Sequence, residues 1–300
     1  MIELSGATPR DLNGDRVVAA IEELAGLGGR VLMLPSPRVA SPQLDPGELR
    51  EVRAEADRYG VTLEVGIGEV HPDRLRMDEK VVLLAAGETL GATAFHTSFG
   101  VLADRLAGLA SWSKQLDVGH KGLRELVARA ERPLVMRTHE EMTTFELCRL
   151  AENVPGLQVG FSPVNVVTRL EDPLRALDRV AHLVHTVFVD DTWVVRTPEG
   201  LARRLRPIGD GDLPWQAIVA RLADRHVEYV LDIHRAEFDM PLYDEDWLAL
   251  QPDLDVPELV AVLRSARDAG AQTGPAERAS WGRELLRTAG VGLADRSSSE

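Results

Sequence analysis

What most constrains this chain is an alternation. Short apolar, β-rich runs are separated throughout by stretches with helical spacing. Strands are predicted at 2–4, 31–34, 61–65, 92–96, 133–138, 157–162, 186–190 and 229–233. Between them, Val17, Val18, Ile21, Leu24 and Leu27 recur at helical spacing over 15–27. Asp45-Pro46-Gly47-Glu48 opens another helix, with an acceptor to cap it and a proline suited to its first turn. Thr143-Thr144-Phe145-Glu146 reads as a capping box for a helix reaching Asn153. Helices are also predicted over 79–90, 102–130 (one long helix or a broken one), 173–181, 215–225 and 257–269.

Eight strands, each followed by a helix, give an α/β fold, the (β/α)8 TIM barrel, over residues 1–272. An open doubly wound sheet is the competing arrangement. It would want a glycine-rich phosphate loop after the first strand, whereas Gly28-Gly29 follows a helix and caps it. Residues 273–292 are expected to form an extra C-terminal helix on the barrel, its amphipathic pattern running over 276–289. Residues 293–300 are expected to be a disordered tail.

The net charge of −14 opposes a nucleic-acid or anionic-membrane partner. No apolar stretch reaches the roughly 20 residues that span a bilayer. The first residues lack a basic, then apolar, leader. A single cysteine, Cys148, excludes an internal disulfide and a thiolate zinc site. Together these point to a cytoplasmic protein, with a homodimer left open. Cys148 has no histidine nearby in sequence and is not read as a nucleophile. Trp112, Trp193 and Trp215 are read as packing, and His182 and His185 as structural.

In such a barrel the chemistry sits at the C-terminal ends of the strands. The polar residues there are Glu64, His71, His96, Arg137, His139, Ser162, Asn165, Asp190, Asp191, Asp232 and His234. Period-two alternation suggests that Glu64, His96, Arg137, Asp190 and His234 face inward. Asp190 and Asp191 point opposite ways and form no carboxylate pair.

Several segments carry a family resemblance. Leu90-Gly91-Ala92 follows the third helix. Arg137-Thr138-His139-Glu140-Glu141-Met142-Thr143 stands in place of Glu-Asn-His-(Glu/Asp)-Asp-x-Thr. Ser162-Pro163-Val164-Asn165 stands for Asp-x-x-Asn, and Glu171-Asp172-Pro173 with Ala176 opens the next helix. Phe188-Val189-Asp190-Asp191 stands for His-x-Lys-Asp. Gly209-Asp210-Gly211-Asp212-Leu213-Pro214-Trp215 matches Gly-x-Gly-x-x-x-Trp. In this order, over most of residues 1–270, the chain resembles the sugar phosphate isomerase/epimerase family, the xylose-isomerase-like barrels that include endonuclease IV relatives.

The departures carry the functional expectation. Family members commonly hold a divalent metal through Glu, Asp, His and Glu, which correspond here to Arg137, Ser162, Phe188 and His234. The family lysine corresponds to Asp190. Only His234 could ligate a metal, and a permanent guanidinium charge opposes a cation. The resemblance therefore implies a barrel without the family metal and without a cofactor, the alternative being zinc or manganese on rearranged ligands drawn from His96, His139, Glu140 and His234. Without metal and basic groove, endonuclease activity is not expected.

The expected substrate is a small polyhydroxylated or keto-acid metabolite. The expected reaction is proton transfer beside a carbonyl: isomerisation, epimerisation, dehydration or decarboxylation. His234 and His96 are the candidate proton carriers, and Arg137 the group holding an anion or a developing enolate. Glu64, His139, Ser162, Asn165 and Asp190 are candidate substrate-binding residues. Two alternatives stand beside this. Arg137 could be a buried ion pair with Glu64, Asp190 or Asp232, and the whole chain a binding or scaffold protein.

Overall fold

Val31-Leu32-Met33-Leu34 is buried at all four positions. A strand needs this when one face meets a barrel interior and the other a layer of helices. The computed structural model describes residues 4–11, 16–73, 75–268 and 274–297. Its strands are β1 (Gly6–Ala7), β2 (Val31–Leu34), β3 (Thr62–Glu69), β4 (Ala94–Ser98), β5 (Leu134–Arg137), β6 (Leu157–Phe161), β7 (Val184–Val189), β8 (Asp191–Thr197), β9 (Gly200–Arg206), β10 (Glu228–Leu231) and β11 (Phe238–Met240). Eight of them close into a barrel in the order β1-β10-β7-β6-β5-β4-β3-β2, every pair parallel. Val31, Met33, Phe188 and Val230 form a small apolar layer inside the ring. The larger core, including Ile21, Leu24, Leu32, Leu34 and Phe161, lies between strands and helices.

The expected barrel is the observed one, with three local corrections. The first strand is Gly6–Ala7 rather than 2–4, and residues 1–3 lie outside those described. At residue 6 the backbones come so close that an added Cβ would lie 2.1 Å from the Val31 carbonyl oxygen. Only glycine lets β1 close the ring there. The helix over 102–130 is two, Leu102–Leu106 and Leu109–Arg129. They break at Gly108, whose φ of 120° no other residue adopts without strain.

The segment after β7 does more than connect. β8 and β9 form an antiparallel hairpin, and β11 pairs with β9 from beyond the eighth barrel strand. Arg203 of β9 fastens this sheet to the barrel top, donating to Asn165 Oδ1 (2.9 Å) and the Ala236 carbonyl (2.7 Å). Asp191 gathers the loop that follows, accepting from Gly209 N (2.9 Å), Leu213 N (3.3 Å) and Trp215 Nε1 (3.2 Å).

The C-terminal helix runs Pro275–Ser297. It passes the expected end at 292 and continues through 293–297, where a disordered tail was expected, while 298–300 lie outside the described residues. No proline interrupts this stretch, so the helix backbone can continue. Among the described residues no helix is long and apolar enough to cross a membrane.

Candidate functional site

The last residue of β5 and the first residue after β10 meet across the barrel mouth. Arg137 forms an ion pair with Asp232, and Arg10, on the turn Pro9–Asp11 after β1, forms a second with the same carboxylate. Asp232 is fully buried. Burial works against its charge, but Arg137 and then Arg10 hold its carboxyl well below the usual range. The Arg137 guanidinium also lies 4.1 Å above the Phe188 ring, a cation–π contact that fixes its plane. Of the partners open to Arg137 from sequence, Asp232 is the one it takes.

Behind Arg137 stands His234. Arg137 Nη2 lies 3.3 Å from His234 Nε2. A guanidinium can only donate, so Nε2 accepts and the ring proton sits on Nδ1, 3.3 Å from Asp190 Oδ2. Burial pushes the His234 imidazole below its ordinary pKa, which keeps it neutral. Asp190 also accepts the His234 backbone N–H at 2.8 Å. Its charge is met by Arg278 of the C-terminal helix, which donates from Nη1 to both carboxylate oxygens (3.0 and 2.9 Å) and from Nη2 to the His234 carbonyl (2.6 Å).

A second buried carboxylate lies deeper in the barrel. Glu64 of β3 takes His96 Nε2 at 2.6 Å and His185 Nε2 at 3.1 Å. Burial opposes its ionisation, yet the two imidazoles bring its pKa down to about 2. An ionised carboxylate only accepts, so His96 Nε2 carries a proton, and with that single proton on the ring Nδ1 is an acceptor. That Nδ1 is buried and has no hydrogen-bond partner.

Above these groups opens a cavity of about 420 Å³, a size suited to a small metabolite. Arg10, Arg137, His96, His139 and Asp232 line it, facing an apolar wall of Met33, Leu34, Pro35, Val39 and Phe188. His139 is held between Glu141 (2.5 Å) and Glu140 (2.9 Å). Burial alone would lower its pKa, but the carboxylates of Glu141 and Glu140 raise it to about 10.

The candidate residues thus fall into two groups. Arg137, His96 and His139 line the cavity. Glu64 stands behind His96, and Asp190 behind His234, which Arg137 in turn screens. Ser162 and Asn165 are fully buried under the loops; Asn165 donates to the Thr138 carbonyl (3.1 Å) and accepts from Arg203. Ser162 is tied in through its backbone, its N–H donating to Thr138 Oγ1 at 2.7 Å, and neither residue is among those lining the cavity.

Sequence reasoning assigned no role to Arg10 or Arg278, and it read His185 as structural. A register shift explains the last case. Val159 pairs Val184 while Gly160 pairs Thr186, so His185 is an extra residue in β7 and turns inward.

The positions matching the family metal ligands do not fit a divalent cation. Arg137 brings its own positive charge, Phe188 offers no donor atom, and His234 Nε2 is taken by Arg137. Among the described residues, His139, Glu140 and Glu141 alone bring three ligand-type atoms within 4.8 Å of one another. Of the rearranged set, His139 and Glu140 belong to that cluster, while His96 and His234 are bonded to other groups.

Comparison with known proteins gives a family model described as the xylose isomerase-like TIM barrel, matching residues 18–260. An uncharacterised protein of Escherichia coli (strain K12), YihM, is 24% identical over 197 residues, 65% of this chain and 58% of its own length. The chain thus matches less than two thirds of that relative. Among solved structures, the probable 3-DHS dehydratase AsbF from Bacillus anthracis superposes with a TM-score of 0.61 at 10% identity, covering 83% of this chain and 97% of that one. The D-psicose 3-epimerase from Clostridium cellulolyticum H10 gives 0.60 at 14% identity, covering 94% and 98%. At such identities the likeness is one of fold.

Proposed function

The chain belongs to the xylose isomerase-like TIM barrel family, and we propose that it is an enzyme moving a proton beside the carbonyl of a small anionic metabolite, polyhydroxylated or a keto acid, without a metal. The observation that carries this reading is the pairing of Arg137 with a buried carboxylate at the cavity floor, beside a His96 Nδ1 that has no partner. In the proposed step, His96 Nδ1 takes the proton from the carbon next to the carbonyl. Glu64 holds the ring in the right tautomer and stabilises the imidazolium that forms. Arg137, with Arg10 beside it, faces the charge that develops on the carbonyl oxygen. His234 touches Arg137 rather than the cavity, so its role is to position that guanidinium.

The reading is tested by incubating the protein with candidate oxo acids and ketoses in deuterium oxide and following deuterium uptake by mass spectrometry. Uptake that disappears in His96→Gln and Arg137→Gln, both still folded, is the expected result. Uptake unchanged in both variants sinks the assignment of roles. A metalloenzyme with rearranged ligands is a second reading, favoured by the His139, Glu140 and Glu141 cluster. Elemental analysis separates the two, since a resident ion should approach one equivalent and raise the thermal midpoint.

A further inference from the structure

We infer that the ligand of this cavity is a short oxo acid with an apolar tail and not a polyol. This rests on the proton-transfer reading of the same site. Arg10 and Arg137 present only donors. The carboxylates around them are all engaged: Asp232 by both arginines, Glu64 by His96 and His185, and Glu140 and Glu141 by His139. The Thr97 hydroxyl donates to the Gly68 carbonyl at 2.6 Å. The hydroxyls of Thr8 and Ser98 can both donate and accept, and favour neither ligand. Among the described charged and ring groups at the cavity, His96 Nδ1 and Asp232 Oδ2 have no hydrogen-bond partner; Asp232 Oδ2 is held in the ion pair with Arg137, which leaves His96 Nδ1 for the ligand, and the proton-transfer step uses it.

Every hydroxyl of a polyol brings a proton that needs an acceptor. Buried here, several would find none, and a buried unpaired donor weakens binding heavily. A carboxylate and its neighbouring carbonyl bring acceptors only, which is what two guanidinium groups require. The rest of the ligand then meets Met33, Leu34, Pro35, Val39 and Phe188, which reward carbon and not oxygen.

The test is calorimetric titration with three named probes: pyruvate, 3-methyl-2-oxobutanoate and D-fructose. The branched oxo acid should bind tighter than pyruvate by roughly fourfold for each carbon buried. D-fructose should bind at least about tenfold more weakly than the branched acid. Arg137→Gln should weaken both oxo acids by about tenfold or more, with partial recovery in Arg137→Lys. Because a change at Arg137 could disturb folding, Val39→Ser supplies a second arm. Val39 is 46% exposed, and its loss should narrow the preference for the branched oxo acid over pyruvate.

D-fructose binding as tight as the oxo acids, or no gain from the tail, overturns the inference. So does the absence of heat from every probe at about 10 mM. Binding heat needs no turnover, so failure of the ligand class is separable from failure of the reaction. Deuterium exchange at C3 of bound 3-methyl-2-oxobutanoate reports on proton transfer alone.

Discussion

A single carboxylate serving two arginines makes Asp232 the residue on which the cavity floor depends. Its pKa lies below the unfolded value of about 3.9, so its contribution to stability is present at neutral pH and fades as the pH falls through that range. Asp232→Asn should cost on the order of 3 kcal/mol in urea unfolding and remove that part of the acid slope. His139 behaves in the opposite sense. Its folded pKa, raised to about 10, means its contribution is full below the unfolded value of about 6.5 and is lost as the pH rises through about 10. Thermal midpoints measured between pH 7 and 10 should fall with pH, and His139→Gln should flatten that decline. In the sequence, Arg137 and His96 stood among the inward-facing candidates that period-two alternation suggested, and both line the cavity. Asp232 appeared there as a strand-end residue and as one of three partners for Arg137, since no local pattern says which strand ends meet across a ring. His185, read as structural, bonds Glu64; that partner was hidden because one extra residue in β7 shifts the alternation by one position.

At the level of elements, the C-terminal helix is part of the barrel mouth and not an appendage. Arg278 is 2% exposed and neutralises Asp190. Removing one partner of a buried pair leaves the other uncompensated. Arg278→Ala should therefore lower the thermal midpoint by on the order of 5–10 °C. The double variant with Asp190→Ala should be less destabilised than the sum of the two single changes, a coupling that thermal unfolding reads directly. The helix itself was expected from its periodicity, but the penetration of Arg278 to the strand ends was not, because distance along the chain hides it. The hairpin β8–β9 was missed for a different reason. Thr192, Val194 and Val195 favour a strand, and Pro198-Glu199-Gly200 favours a turn, but they follow β7 so closely that the two runs read as one strand and its loop. The third strand, β11, pairs with β9 after a full βαβ excursion, and no local signal marks such a partner.

For the molecule as a whole, the charge of −14 and the chemistry of the cavity have opposite signs. Arg105, Arg203 and Arg278 are almost wholly buried, but so are more carboxylates, among them Glu64, Glu141, Glu146, Asp190, Asp191 and Asp232, so burial takes up only a small part of the acidic excess and the outer surface carries the rest. An anionic ligand must cross this negative field before it reaches Arg10 and Arg137. Stopped-flow association of 3-methyl-2-oxobutanoate should therefore speed up as ionic strength rises from about 0.01 to 0.15 M, the reverse of electrostatic steering. An association rate that falls with salt would show that the field at the mouth is set locally by the two arginines.

The tie between Arg278 and Asp190 also sets a timetable. The two residues are 88 positions apart in the chain. At about 5–20 residues per second, a ribosome finishes the carboxylate some 4 to 18 seconds before its guanidinium exists. For the last 47 residues of that interval (278 − 231) every strand of the ring has been made while the charge below His234 still waits for its partner, so the nascent barrel cannot seal its mouth at the pace at which it is synthesised.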